Sequence, residues 1–133
     1  MGRRWATGGR REAVRLGAVA LSVILLAACE GSAIPEPAEM PEELFAGEAT
    51  FNAHCARCHG ERAAGTAQGP PLVHKIYEPN HHGDFAFQRA AATGVRAHHF
   101  NFGDMPKIPE VTPEDVRQIT EYIRWLQRQA GIN

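Results

Sequence analysis

Apolar residues fall along this chain as one unbroken block followed by three helical stripes, with no convincing two-residue alternation anywhere. The block is residues 16–28, twelve Leu, Ala, Val, Ile and Gly with a single Ser, too short to span a bilayer, which needs roughly 20 apolar residues. In the first stripe Leu44, Phe51 and Cys55 share one side of a helix that should start near Pro41, with Glu42 and Glu43 in its first turn. The second predicts a short helix over residues 84–93, with Asp84 as candidate N-cap and Gly94 just past the end. Phe85 or Phe87, with Ala90 and Ala91, forms its modest apolar face. The third is the clearest: Val116, Ile119, Ile123 and Leu126 recur at helical spacing with Tyr122 and Trp125 at the edges of the stripe. Thr112 caps that helix, Pro113 takes its first position, Asp115 completes a capping box, and Gly131 ends it.

Between the stripes the chain reads as loop. Residues 60–77 carry Gly65, Gly69, Pro70 and Pro71, with one helical turn expected near residues 72–76. A loop that long in a small domain needs something to wrap. Residues 95–102 are irregular, and residues 103–109 hold too much proline for a helix. The pattern predicts an all-α domain over residues 41–133.

Charge divides the chain. Arg3, Arg4, Arg10, Arg11 and Arg15 precede the apolar block, the arrangement of an export signal. The block ends Leu26-Ala27-Ala28-Cys29, which resembles the lipobox of bacterial lipoproteins. That resemblance implies cleavage after residue 28 and acylation of Cys29, in preference to a free Cys29 or an uncleaved anchor. Several acyl chains would hold the protein stably on a lipid bilayer, where one chain is marginal. Residues 29–40, rich in Pro and Glu, then read as an extended tether reaching at most about 35 Å. The expected mature chain of 105 residues keeps nine basic against fourteen acidic side chains, a net charge of −5. Nucleic acid is therefore excluded as a partner, and a basic face on a redox partner protein is favoured.

The candidate chemistry lies at Cys55-Ala56-Arg57-Cys58-His59. Two cysteines three apart lie on one face of a helical turn, so both sulfurs can form thioethers to the vinyl groups of one haem while His59 offers its imidazole to the iron. A redox CxxC pair would want a βαβ context, and a zinc site a second ligand pair at suitable spacing. Neither is present. Haem attachment outside the cytoplasmic membrane also agrees with the export signal.

With these residues in hand, the chain over about residues 43–128 resembles the class I cytochromes c, small α-helical monohaem electron carriers. Gly47 and Phe51 match the glycine and aromatic that this family carries on its first helix, and Tyr122 matches the aromatic on the last helix, which the first one crosses. Gly69-Pro70-Pro71-Leu72 matches the family's Gly-Pro-x-Leu segment. The match implies that the Pro70 carbonyl accepts a hydrogen bond from His59 and that Leu72 packs on the haem. Met105, followed by Pro106, matches the distal methionine ligand. The departure is histidine: His74, His81, His82, His98 and His99 stand beyond His54 and His59. The preferred reading makes them solvated loop residues or partners of the haem propionates. Against it stand replacement of Met105 by His98 or His99, and copper or zinc bound between the adjacent pairs.

The expected function is one-electron transfer on one covalent haem c, membrane-tethered on the periplasmic side and with no catalysis of its own. A dedicated haem subunit of an oxidase or dehydrogenase is the alternative, and a gas- or peroxide-binding sensor ranks below it. So small a core with so long a loop is expected to need its haem to fold.

Overall fold

Residues 39–133, together with Gly2, are described by the computed structural model. The expected leader, Cys29 and the tether up to residue 38 lie outside the described residues. Among those described there are four α-helices, three single 3-10 turns and no strand, and no helix is long and apolar enough to cross a membrane.

The chain enters through a 3-10 turn, Glu42–Leu44, closed by Leu44 N–H donating to the Pro41 carbonyl at 3.0 Å. Pro41 thus stands just ahead of the helical segment. Helix α1, Phe45–His54, follows directly, and after Cys55 the four-residue helix α2, Ala56–His59, carries the rest of the cysteine motif. Helix α3 is Asp84–Thr93 and helix α4 is Pro113–Gln129. The capping box of α4 forms as its sequence requires: Thr112 Oγ1 accepts from Asp115 N–H at 3.2 Å, and Asp115 Oδ2 accepts from Thr112 N–H at 2.8 Å.

Helix α1 packs on α4, and Gly47 is why the two can approach closely. A Cβ at Gly47 would fall 2.7 Å from the carbonyl carbon of Gln118, a distance that no side chain tolerates. Beside that contact the Phe51 and Tyr122 rings, both fully buried, meet at 5.8 Å between centroids and 55° between planes. Tyr122 Oη also donates to Glu48 Oε1 at 3.2 Å.

Two local expectations are corrected and one open alternative is resolved. Asp84 is not the N-cap of α3; Gly83 holds that position without a side-chain bond, and Asp84 instead accepts from Arg124 Nε at 2.8 Å. Tyr122 and Trp125 do not lie at the edge of a stripe, because α4 is covered from more than one side and every residue from 122 to 127 is buried. Of the two phenylalanines on α3, Phe87 packs against the core and Phe85 is 69 % exposed.

Candidate functional site

The loop after α2 folds back on the motif that precedes it. Gly65 N–H donates to the His59 carbonyl at 2.6 Å, and Thr66 Oγ1 donates to the Cys58 carbonyl at 2.6 Å. Arg62 and Ala63 both sit at positive φ, 51° and 58°, a conformation that costs side-chain-bearing residues energy unless the surroundings enforce it. What enforces it here is the Ala63 carbonyl, which accepts from Leu72 N–H at 2.9 Å and from Val73 N–H at 3.3 Å. Leu72 is thereby fixed over the same space that His59 faces.

That space is a cleft of about 390 Å³, with Cys55, His59, Pro70, Leu72, Phe87 and Met105 among its lining residues and Ile119 and Ile123 of α4 behind them. His59 is 9 % exposed. Its Nδ1 lies 2.9 Å from the Pro70 carbonyl; a carbonyl only accepts, so Nδ1 carries the proton and Nε2 keeps its lone pair. Burial holds His59 below the ordinary imidazole pKa, opposed by the Pro70 hydrogen bond. It therefore stays neutral, as a metal ligand must.

Met105 reaches the cleft from the far side of the sequence. An isolated antiparallel bridge places it, Val95 N–H to the Met105 carbonyl and Met105 N–H to the Val95 carbonyl, both at 2.9 Å. Gly94, at φ +77°, makes room: a Cβ there would stand 2.6 Å from the Met105 carbonyl oxygen. This bridge is the one strand-like feature among the described residues, in a stretch the sequence pattern read as irregular.

No disulfide joins the two motif cysteines. The expected helical turn joins them, with Cys58 N–H and His59 N–H both donating to the Cys55 carbonyl, at 3.1 and 3.0 Å. Cys55 lines the cleft, and burial, with Cys58 beside it, pushes its thiol up to about 11. Cys58 is half-buried, outside the lining, with Gly69 closed over its carbonyl. An apolar cleft offering one neutral imidazole nitrogen, one thioether sulfur and a protonated thiol at its wall fits a covalently held haem.

Sequence reasoning missed the polar cluster that supports this wall. Gln127, 1 % exposed, donates through Nε2 to the Leu72 carbonyl at 2.8 Å and the Tyr77 carbonyl at 3.0 Å. Arg124, buried beside it, donates to Tyr77 O at 2.6 Å, to Gln127 Oε1 at 2.7 Å and to the His82 carbonyl. Its guanidinium lies 5.0 Å from the Phe87 ring centroid. The available signal was position: residues 120, 124 and 127 continue the α4 stripe at helical spacing, but polar side chains do not register in an apolar pattern.

The histidines also assemble. The pairs His81-His82 and His98-His99, sixteen residues apart in sequence, converge at the rim of the cleft, with ring centroids 5.2 Å apart for His81 and His99 and 5.0 Å for His82 and His99. His82, His98 and His99 are cleft-lining and His81 is not. His54 and His74 lie elsewhere; His74 Nδ1 accepts from Ile76 N–H at 3.2 Å.

Compared with known proteins, residues 45–127 match the family described as Cytochrome c. The chain is also 31% identical over 96 residues to the cbb3-type cytochrome c oxidase subunit CcoP of Rubrivivax gelatinosus, an alignment covering 68% of this chain and 29% of that protein. The chain thus spans less than a third of that relative's length. No solved structure matches it significantly. With the matched segment running from α1 into α4 and enclosing the cysteine motif, the glycine contact and the cleft, this chain belongs to the cytochrome c family.

Proposed function

We propose that the domain is a single-haem, one-electron carrier, with the haem held covalently by Cys55 and Cys58 and its iron ligated by His59 and Met105. The observation that carries this reading is that His59 and Met105, 46 residues apart in sequence, line one cleft together with Cys55. The haem supplies an iron that takes up and releases one electron. The chain's own residues do the rest. The Pro70 carbonyl orients His59 and raises its basicity, Leu72 and Ile123 exclude water from the wall, and the Val95–Met105 bridge holds the thioether in place. A haem held by one thioether and one imidazole would favour reduced iron and a higher potential, which suits transfer over catalysis. With His59 and Met105 both committed to its iron, the domain would perform no chemistry on a substrate.

Membrane attachment through acylated Cys29 on the periplasmic side completes the proposal, with redox proteins of the same envelope as partners. A second reading has support of its own: the CcoP relative is a subunit of a cytochrome c oxidase, which favours a dedicated haem subunit of such a complex. Co-purification of the tagged full chain from membranes separates a stoichiometric complex from a free carrier.

The visible and far-red spectrum of the haem-loaded chain tests the ligand set. The weak far-red band of methionine-ligated oxidised haem is expected, and should vanish in Met105→Leu. A low-spin spectrum without that band would move the distal ligand to His98 or His99. A high-spin spectrum that binds carbon monoxide readily would replace the carrier with a sensor.

A further inference from the structure

We propose that His81, His82 and His99 form a second metal site, for a divalent transition cation of the zinc or copper(II) class, at the rim of the haem cleft. One ring nitrogen from each of the three lies within 4.8 Å of the other two. His81 Nε2 and His99 Nε2 stand 3.4 Å apart. Two nitrogens bound tetrahedrally to one zinc at about 2.0–2.1 Å are about 3.3–3.4 Å apart, so this pair already has the required separation. The third ligand needs only a small closure.

The surroundings of His82 prepare that ring as a ligand rather than as a donor. His82 Nδ1 lies 2.6 Å from the Ile76 carbonyl, so Nδ1 carries the proton and Nε2 keeps a free lone pair. Orientation of a ligating imidazole by a carbonyl on its other nitrogen is the usual support of a metal site. His98 is fixed in the same tautomer by the Arg96 carbonyl at 2.8 Å and packs against His99 at 4.2 Å between centroids, its ring tilted by 51°.

Both segments that supply ligands are tied to the core. The turn before His81 is closed by Glu78, whose carbonyl accepts from His81 N–H and His82 N–H at 3.0 and 2.8 Å, and Arg124 holds the His82 carbonyl. On the other segment Phe100 stacks on Tyr77 at 6.4 Å and meets His74 edge-on at 5.6 Å. Three neutral imidazoles suit zinc or copper(II) over calcium or magnesium, which require oxygen ligands. A cation there would join the turn at residues 78–83 to the loop leading to Met105. It would also place positive charge beside the haem.

His81 separates this site from a set of haem-propionate partners, since it is the ligand that does not line the cleft. The test is calorimetric titration of chelator-washed, haem-loaded full chain with Zn2+, then with Cu2+, in the parent, His81→Gln and His99→Gln. One equivalent is expected, weakened by about 10–100-fold or more in each variant, while His81→Gln, whose ring does not line the cleft, keeps the parent's haem spectrum. A potentiometric titration should show an upward shift of the midpoint on adding Zn2+ to the parent and none in His81→Gln. Absence of stoichiometric binding, or binding that survives both substitutions, would overturn the site. Calorimetry reads cation binding and the far-red band reads the iron ligand, so failure of this site and failure of the Met105 ligation give different results.

Discussion

Gln127 uses its whole amide inside the protein: the nitrogen donates to the carbonyls of Leu72 and Tyr77, and the oxygen accepts from Arg124. The Leu72 contact fixes a residue of the cleft wall, so a buried polar side chain of α4 outside the lining sets the shape of the site. Gln127→Leu keeps the volume and removes every one of those bonds. Arg124 still donates to the Tyr77 carbonyl, but the Leu72 carbonyl loses its donor, and a buried carbonyl left so costs about 1–3 kcal/mol; the haem-loaded variant should unfold at clearly lower temperature or denaturant concentration than the parent while keeping its visible spectrum. An unchanged unfolding midpoint would mean that the Leu72 carbonyl finds another donor. The apolar pattern does not reveal Gln127 or Arg124, because a polar residue on a buried stripe is indistinguishable in sequence from one that faces water. His59 was legible as a candidate ligand, since the cysteines beside it single it out. That Pro70 is its partner followed only from family resemblance, and the 2.9 Å contact now gives it a physical basis.

At the scale of elements, the crossing of α1 on α4 organises the fold, and Gly47 decides how close it is. Two effects oppose each other at this position. Alanine in place of glycine favours a helix by roughly 0.5–1 kcal/mol, whereas forcing a methyl into a filled contact costs typically about 1–3 kcal/mol. A Cβ would meet backbone atoms of Gln118, which cannot rotate away, so the second effect wins. Gly47→Ala should therefore lower the unfolding temperature of the haem-loaded protein, and a rise would show that α1 shifts along α4 at little cost. Helix α4 was readable end to end because its cap, its first-turn proline and its apolar spacing all agree. Helix α3 was readable in extent but not in detail. Asp84 has the chemistry of a cap, yet it is drawn into an ion pair with Arg124, 40 residues later, and no local rule anticipates that partner.

For the whole molecule, the cleft is the organising volume, bordered by α3, α4 and both long loops. A closed void of 390 Å³ would cost about 9 kcal/mol at about 24 cal/mol per Å³. This is an upper bound for a cleft open on one side, but it is comparable with the roughly 5–15 kcal/mol that holds a domain together. A chain with Cys55→Ser and Cys58→Ser, unable to attach haem, is therefore expected to be largely unfolded. Far-ultraviolet circular dichroism at the helical strength of the haem-loaded parent would contradict that.

The sequence by itself determined what depends on neighbours along the chain: the cysteine-histidine spacing, the capped last helix, the glycine on the first helix and the all-α class. These are local because helical period and capping act over three or four residues. Tertiary structure alone decided which distant groups meet. It brings Met105 to His59 through a bridge from Val95, seats Arg124 and Gln127 under the cleft wall, and gathers two separate histidine pairs into one cluster. Such meetings depend on how loops close over a shared volume, and a pattern read along one dimension carries no record of that closure.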